Sequence, residues 1–279
     1  MKTVPFGKSG RNVSRVGMGG EGILRTYGRA KEAEEVIREA VDRGITYFDS
    51  ARVYSDSEVY YGRVWGSDPA LRKAVFQTSK SAARDRDGAN SDLEHSLKRL
   101  STDYLDLWQI HDIRTEDDLL AISRPGGALE AFVAAKKEGK VRFIGVTGHH
   151  DPYILTRAVE EWPIDSVLLP VNPVEELLGG FLTHTLPAAR KKGMAVIGMK
   201  VLGASHFIMP KLQITPELLI RFAMSFDLTL PIIGCSSPDE VKTLAALGGA
   251  ERLVDKEKKD LVDLFRPYAA KMAFYRGVI

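Results

Sequence analysis

Eight short apolar runs, each followed by a stretch long enough for a helix, set the strongest limit on how this 279-residue chain can fold. They start at Arg15, Ile45, Ala74, Tyr104, Val141, Ser166, Ala195 and Leu228, and are rich in Val, Ile, Leu and Phe. Continuous rather than alternating apolar character is what burial on both faces of a parallel sheet demands. The segments between them carry helix punctuation. From Lys31 to Arg43 the apolar residues Ala33, Val36, Ile37, Ala40 and Val41 fall three and four apart, with Gly44 placed to end the helix in a left-handed conformation. Asp151-Pro152, Thr215-Pro216 and Ser237-Pro238-Asp239-Glu240 each set a capping side chain before a proline, and Ser91 with Glu94 predicts a further capped start. Strand and helix alternating eight times predict an α/β chain folded as a (β/α)8 TIM barrel, read as a single domain over residues 1–279. An open doubly wound sheet fits less well, because Gly17-Met-Gly-Gly-Glu-Gly22, read as the first strand-to-helix junction, does not match the GxGxxG phosphate turn. ThrValPro and AsnValSer around Gly7–Gly10 predict an N-terminal β-hairpin under the barrel, and the tail after Val254 an extra C-terminal helix.

Composition narrows the partners. With 44% hydrophobic and 27% charged residues and a net charge of +2, nothing favours nucleic acid or a membrane surface, so a small molecule is the expected ligand. The single cysteine, Cys235, and the lack of a basic and apolar leader after Met1 point to a reducing, cytoplasmic setting, and one thiol excludes a cysteine-rich metal site. Neighbouring His149 and His150 have no third ligand at metal spacing, so no metal is expected.

A barrel works at the carboxyl ends of its strands. There the second run ends in Asp49 with Tyr54 five residues on, the third in Thr78-Ser79-Lys80, and the fourth in Gln109-Ile110-His111. Each has an ordinary explanation alone: a turn carboxylate, a packing tyrosine, a solvated lysine, a satisfied histidine. Together at three successive strand ends they match carbonyl reduction, in which the oxygen needs a proton. A phenol is a weak acid at neutral pH, so a nearby ammonium from Lys80, aimed by Asp49, is expected to lower the pKa of Tyr54, while a neutral His111 orients the carbonyl.

These residues resemble the signature of the aldo-keto reductases: PheAspSerAlaArgValTyr from Phe48, PheGlnThrSerLys from Phe76 and AspLeuTrpGlnIleHis from Asp106, supported by GlyLysValArgPheIleGlyVal from Gly139 and the loop GlyCysSerSerPro from Gly234. The resemblance implies Tyr54 as general acid, Lys80 and Asp49 as its tuning pair and His111 as the substrate-orienting group. It further implies NADP(H) ahead of NAD(H), an aldehyde or ketone substrate, and a cofactor-binding set of Gly19, Thr147, His149, Asn172, Met199, Lys200, Leu202, Gly203, Gly234, Cys235, Ser236, Ser237 and Glu240. Departures gather in that set. Thr147-Gly148-His149-His150 stands where serine and asparagine usually grip the carboxamide, with Asn172 the nearest amide once Leu168 takes the place of a glutamine. Met199 replaces the stacking tyrosine, Lys200 is expected to reach the pyrophosphate, and Glu240 replaces an arginine on the 2′-phosphate. A short or absent C-terminal lid and an aromatic wall of Trp65, Tyr27, Tyr54 and Phe207 are expected around the substrate. The rivals are a nucleotide-binding regulatory module without turnover, and a barrel lyase using Lys80 as a Schiff base.

Overall fold

The computed structural model describes residues 1–278. Eight parallel strands close into one ring: β3 (Gly17–Gly22), β4 (Tyr47–Phe48), β5 (Phe76–Ser81), β6 (Leu105–Ile110), β7 (Val141–Thr147), β8 (Ser166–Pro170), β9 (Ala195–Met199) and β10 (Leu230–Cys235), with β10 hydrogen-bonded to both β9 and β3. Every apolar run noted in the sequence contributes a strand. Ahead of them β1 (Thr3–Pro5) and β2 (Asn12–Ser14) form the antiparallel hairpin, paired Thr3 with Ser14. Phe6 leaves β1 and plugs the floor of the ring, 4.6 Å from the ring of Phe76 and 6.2 Å from that of Tyr47. Leu107, Leu168, Ile197 and Leu230 pack above it inside the barrel. Residues one place along, such as Trp108, face outward to the helices, where its indole stacks on Phe132 at 3.6 Å. The alternation is the two-residue period of a strand applied to a surface buried on both sides.

Three expectations about elements change. Gly17–Gly22 is strand β3 itself, not a junction. Its neighbours come so close that a Cβ on Gly19 would lie 2.9 Å from Gly234 N, so the glycines serve strand contact rather than a turn. The helix carrying Leu93 starts earlier than Ser91: it spans Arg86–Arg99 and is capped by Asp85, whose carboxylate accepts from Gly88 N at 2.8 Å, which leaves Ser91 inside the helix. The crossovers after β4 and β6 each hold two helices, Ser57–Ser67 with Pro69–Ala74 and Glu116–Ser123 with Ala128–Lys137. The caps at Asp151, Thr215 and Ser237 form as predicted. After the helix Asp255–Phe265 the chain returns across the carboxyl ends of β7 and β8, where Arg276 pairs with the buried Glu175 and Gly277 N donates to His150 O at 3.0 Å. The C-terminal segment therefore packs beside the barrel mouth, and none of its described residues lines the two spaces found there.

Candidate active site

Parallel register brings the four ionisable residues to one place. Asp49 follows β4, its N–H donating to Met18 O at 2.8 Å, and Lys80 lies in β5 opposite Gln109 of β6. Both are 1% exposed. Lys80 Nζ donates to Asp49 Oδ2 at 2.6 Å and to Ser50 O at 2.7 Å, while Thr78 Oγ1 donates to Asp49 Oδ1 at 2.8 Å. The backbone then turns, Tyr54 N donating to Ala51 O at 3.0 Å, and sets the Tyr54 ring with its centroid 4.8 Å from Lys80 Nζ. The His111 ring meets it edge-on at 5.6 Å. Space for the phenol comes from β3: a Cβ on Gly20 would sit 2.8 Å from Tyr54 Cδ2 and 2.9 Å from Asp49 O. Arg25 covers the same ring, its Cζ 4.8 Å from the centroid, and is held there by Glu21 at 2.7 Å.

The electrostatics correct one expectation. Burial lowers the pKa of Lys80, and contact with the Asp49 carboxylate works against that, keeping the ammonium charged. Tyr54 is not made more acidic. Burial first, then the carboxylates of Asp49 and Glu21, raise its pKa above the ordinary phenol value, with Arg25 opposing them. The lysine's charge is answered at contact by Asp49, so little net positive field is left to draw off the phenolic proton, and Tyr54 stays a neutral donor. His111 is held well below its usual pKa, by burial first and then by the positive charges of Lys80, Arg84 and Arg25, so its ring is neutral as expected.

A cavity of about 440 Å³ and an adjoining groove of about 720 Å³ meet at Tyr54, Leu168, Met199 and Lys200. Lys80, His111, Thr147 and His149 line the cavity; Gly19, Leu202, Gly234, Cys235, Ser236 and Glu240 line the groove. Three of the expected cofactor contacts lie elsewhere. Asn172 is fully buried as a helix cap: its Oδ1 accepts from Val174 N and Glu175 N, and its Nδ2 donates to Lys200 O at 3.1 Å and to Tyr275 Oη at 2.9 Å, which leaves no group for a carboxamide. Gly203, at φ +55, is buried beside Phe207, whose ring a Cβ would strike at 2.6 Å. The Ser237 hydroxyl is committed to the N–H of Glu240. Thr147 and His149 are on the wall but already engaged, Thr147 Oγ1 by Asp112 N at 2.8 Å and His149 by Asp112 and by the Tyr275 carbonyl, which Nδ1 approaches to 3.0 Å.

The aromatic wall reduces to Tyr54. Trp65 is 1% exposed, its indole N–H donating to Gln77 at 2.8 Å between helix and strand. Phe207 is 0% exposed against Phe265, and Tyr27 is 76% exposed and lines neither space. Polar side chains line the cavity instead, and several of them went unnoticed in the sequence. Glu21 and Arg25 stand four apart, a spacing that signals an ion pair, but in a stretch read as a turn; Arg84 and Arg114 follow strand ends with no pattern that marks them; and Tyr275, which holds Asn172 and His149 from behind rather than lining the cavity, has no local signal at all.

Residues 15–212 match the model of the aldo/keto reductase family. Among curated proteins the chain is 29% identical to L-galactose dehydrogenase of Arabidopsis thaliana over 69% of this chain and 62% of that protein, and 27% identical to a probable aldo-keto reductase 1 of Glycine max over 74% and 61%. It is 30% identical to 6-dehydroglucose reductase of Novosphingobium aromaticivorans over 51% of this chain and 50% of that protein. The matches thus span half to three fifths of these relatives' lengths. In structure it superposes on an aldo-keto reductase from Bacillus halodurans in its holo form with a TM-score of 0.76 and 21% identity, covering 95% of this chain and 96% of that one.

Proposed function

Because the chain belongs to the aldo/keto reductase family, we propose that it is an NAD(P)H-dependent oxidoreductase that reduces an aldehyde or ketone, with Tyr54 as the proton donor. One observation carries this: the protonated Tyr54 stands where cavity and groove meet, over the Lys80–Asp49 pair and beside a neutral His111. The residues fit a dinucleotide in the groove, which Gly19 and Gly234 line without a side chain and where the Met199 thioether offers a polarizable surface for a ring. When bound, that cofactor supplies the hydride.

The protein's own part is the proton. Tyr54 Oη–H donates to the carbonyl oxygen; as negative charge grows there the O–H bond breaks toward the substrate, leaving a phenolate and an alcohol. The Lys80 ammonium, its charge answered by Asp49, lies 4.8 Å from the ring centroid and positions the phenol; the proton moves because the oxygen that receives it becomes an alkoxide, a stronger base than the phenolate left behind. A neutral His111 N–H on the cavity wall steadies the same oxygen. The phenolate recovers its proton from water through the open side of the cavity.

Preference for NADP(H) turns on Glu240. Its carboxylate accepts from Ser236 N at 2.7 Å, so the amide that would greet an anion before the helix Pro238–Leu247 is already answered from within the chain, and Glu217 and Asp239 add negative charge to that end of the groove. A 2′-phosphate requires Glu240 to swing away; a dinucleotide without it does not.

Tyr54→Phe tests the assignment. Turnover with generic aldehydes should fall by at least about 10²-fold, while fluorescence titration with NADPH and NADH gives dissociation constants within about twofold of the parent, since the ring remains. Undiminished turnover in the variant would refute the proposal.

A further inference from the structure

The polar cavity has an uneven charge. Four of its five cationic side chains carry a carboxylate partner: Arg25 with Glu21 at 2.7 Å, Lys80 with Asp49 at 2.6 Å, Arg84 with Asp118 at 2.8 Å and Arg114 with Asp112 at 2.8 Å. The fifth, Lys200, has no carboxylate within ion-pair distance among the described residues, and no hydrogen-bond acceptor for its ammonium. The histidines on the wall do not alter the sum, since burial holds both His111 and His149 toward their neutral forms. One uncompensated positive charge therefore lies where this space of about 440 Å³ meets the groove.

Its placement is enforced. Lys200 has a left-handed backbone, φ 54, which a residue other than glycine seldom adopts unless its surroundings require it. Those surroundings are the Asn172 amide, which donates to the Lys200 carbonyl at 3.1 Å and is itself fixed by the Tyr275 hydroxyl and by capping two backbone N–H groups. The residue expected to grip a carboxamide instead secures the lysine.

We propose that Lys200 holds the carboxylate of the substrate, so that the preferred substrate class is a small oxo acid rather than a neutral or aromatic aldehyde. This rests on the reductase function proposed above. A ligand filling the cavity strips water from the ammonium; a neutral aldehyde leaves it unpaired, and a carboxylate compensates it with a charge-assisted hydrogen bond. A single lysine provides the point charge suited to a monoanion, whereas a phosphate calls for several converging donors, and here the arginines are taken by their own carboxylates. The short apolar stretch of Leu168 and Met199 beside Lys200 suits the methylene chain between carboxylate and carbonyl.

The test compares glyoxylate, 4-oxobutanoate and 5-oxopentanoate, each against the neutral aldehyde of equal chain length, by NADH or NADPH oxidation, and titrates 4-oxobutanoate into the protein by calorimetry. At least one oxo acid should exceed its neutral partner in kcat/KM by about tenfold or more. Lys200→Met should bring that ratio near one and weaken 4-oxobutanoate binding by a similar factor, and Lys200→Arg should keep most of both. Loss of oxo-acid binding in Lys200→Met with no aldehyde turned over by the parent protein would sustain the carboxylate site and discard the reductase function alone. No preference for any acid, or a preference that survives Lys200→Met while dinucleotide affinity drops, would overturn the proposal and give the ammonium to the cofactor.

Discussion

Tyr54 shows how one side chain is set by charges that cancel before they reach it. The sequence placed a lysine and a phenol at adjacent strand ends, and from that pair alone an acidified tyrosine is the natural expectation. What the sequence does not display is that Asp49 touches Lys80 at 2.6 Å while the phenol stands over the same ammonium, so the carboxylate takes most of the lysine's field. The tetrad stood out because Asp49, Lys80 and His111 end apolar runs and Tyr54 follows the first of them by five residues. Asn172 was not, because its work is done through a hydrogen-bond partner, Tyr275, that is more than a hundred residues away. Glu240 offers a test at this scale. Glu240→Arg removes the carboxylate from Ser236 N and supplies a guanidinium for a 2′-phosphate, so the ratio of NADPH to NADH affinity should rise by about tenfold or more. Equal shifts for both dinucleotides, measured by fluorescence titration, would contradict the role given to this carboxylate.

Elements were legible wherever the apolar period and a capping residue agreed. The helix Pro238–Leu247 begins at the serine that its Ser-Pro-Asp-Glu start announces, and the helix Ala30–Asp42 stops before Gly44, which takes φ +79. Ser91 misled because a capping pattern inside a helix looks the same as one at its start; Asp85 lies far enough upstream to be missed when only the apolar residues are followed. The glycine-rich β3 misled in the opposite sense, since a strand lined by close neighbours can lose nearly all its side chains. The hairpin was legible as a hairpin, but its contribution to stability comes from Phe6, buried among Tyr47, Phe76 and Phe143. Phe6→Ala should cost about 3–5 kcal/mol by urea denaturation, the range for deleting a buried aromatic ring. Because Phe6 fills the end of the barrel opposite the cavity, KM should remain unchanged in the folded variant; a loss of less than about 1 kcal/mol would mean that the floor closes without it.

For the molecule as a whole, acid is the informative perturbation. The pKa of His111 is depressed well below its ordinary value, chiefly by burial, and that of His149 is lowered by burial with Lys200 and Arg114 adding to it against the pull of Asp112. In the unfolded chain both titrate near about 6.5. Above that pH neither state binds the protons and stability is indifferent to them; as pH falls below it the unfolded chain takes up protons that the native state refuses, so stability declines toward the depressed native values. Urea midpoints should hold level from pH 8 to about pH 6.5 and fall from there to pH 5, and His111→Gln should flatten that fall. An unaltered slope in that variant would show that His111 is not the residue refusing its proton.

Closure of the ring by β10 against both β9 and β3 also constrains how the molecule is made. During synthesis β3 emerges first of the eight ring strands and its seam partner last, so until β10 arrives the growing sheet carries two raw borders with unmet backbone groups. The nascent chain is thus most prone to sticking just before the final strand clears the ribosome, and slowing elongation ahead of Leu230 should lengthen that exposure and lower the soluble yield.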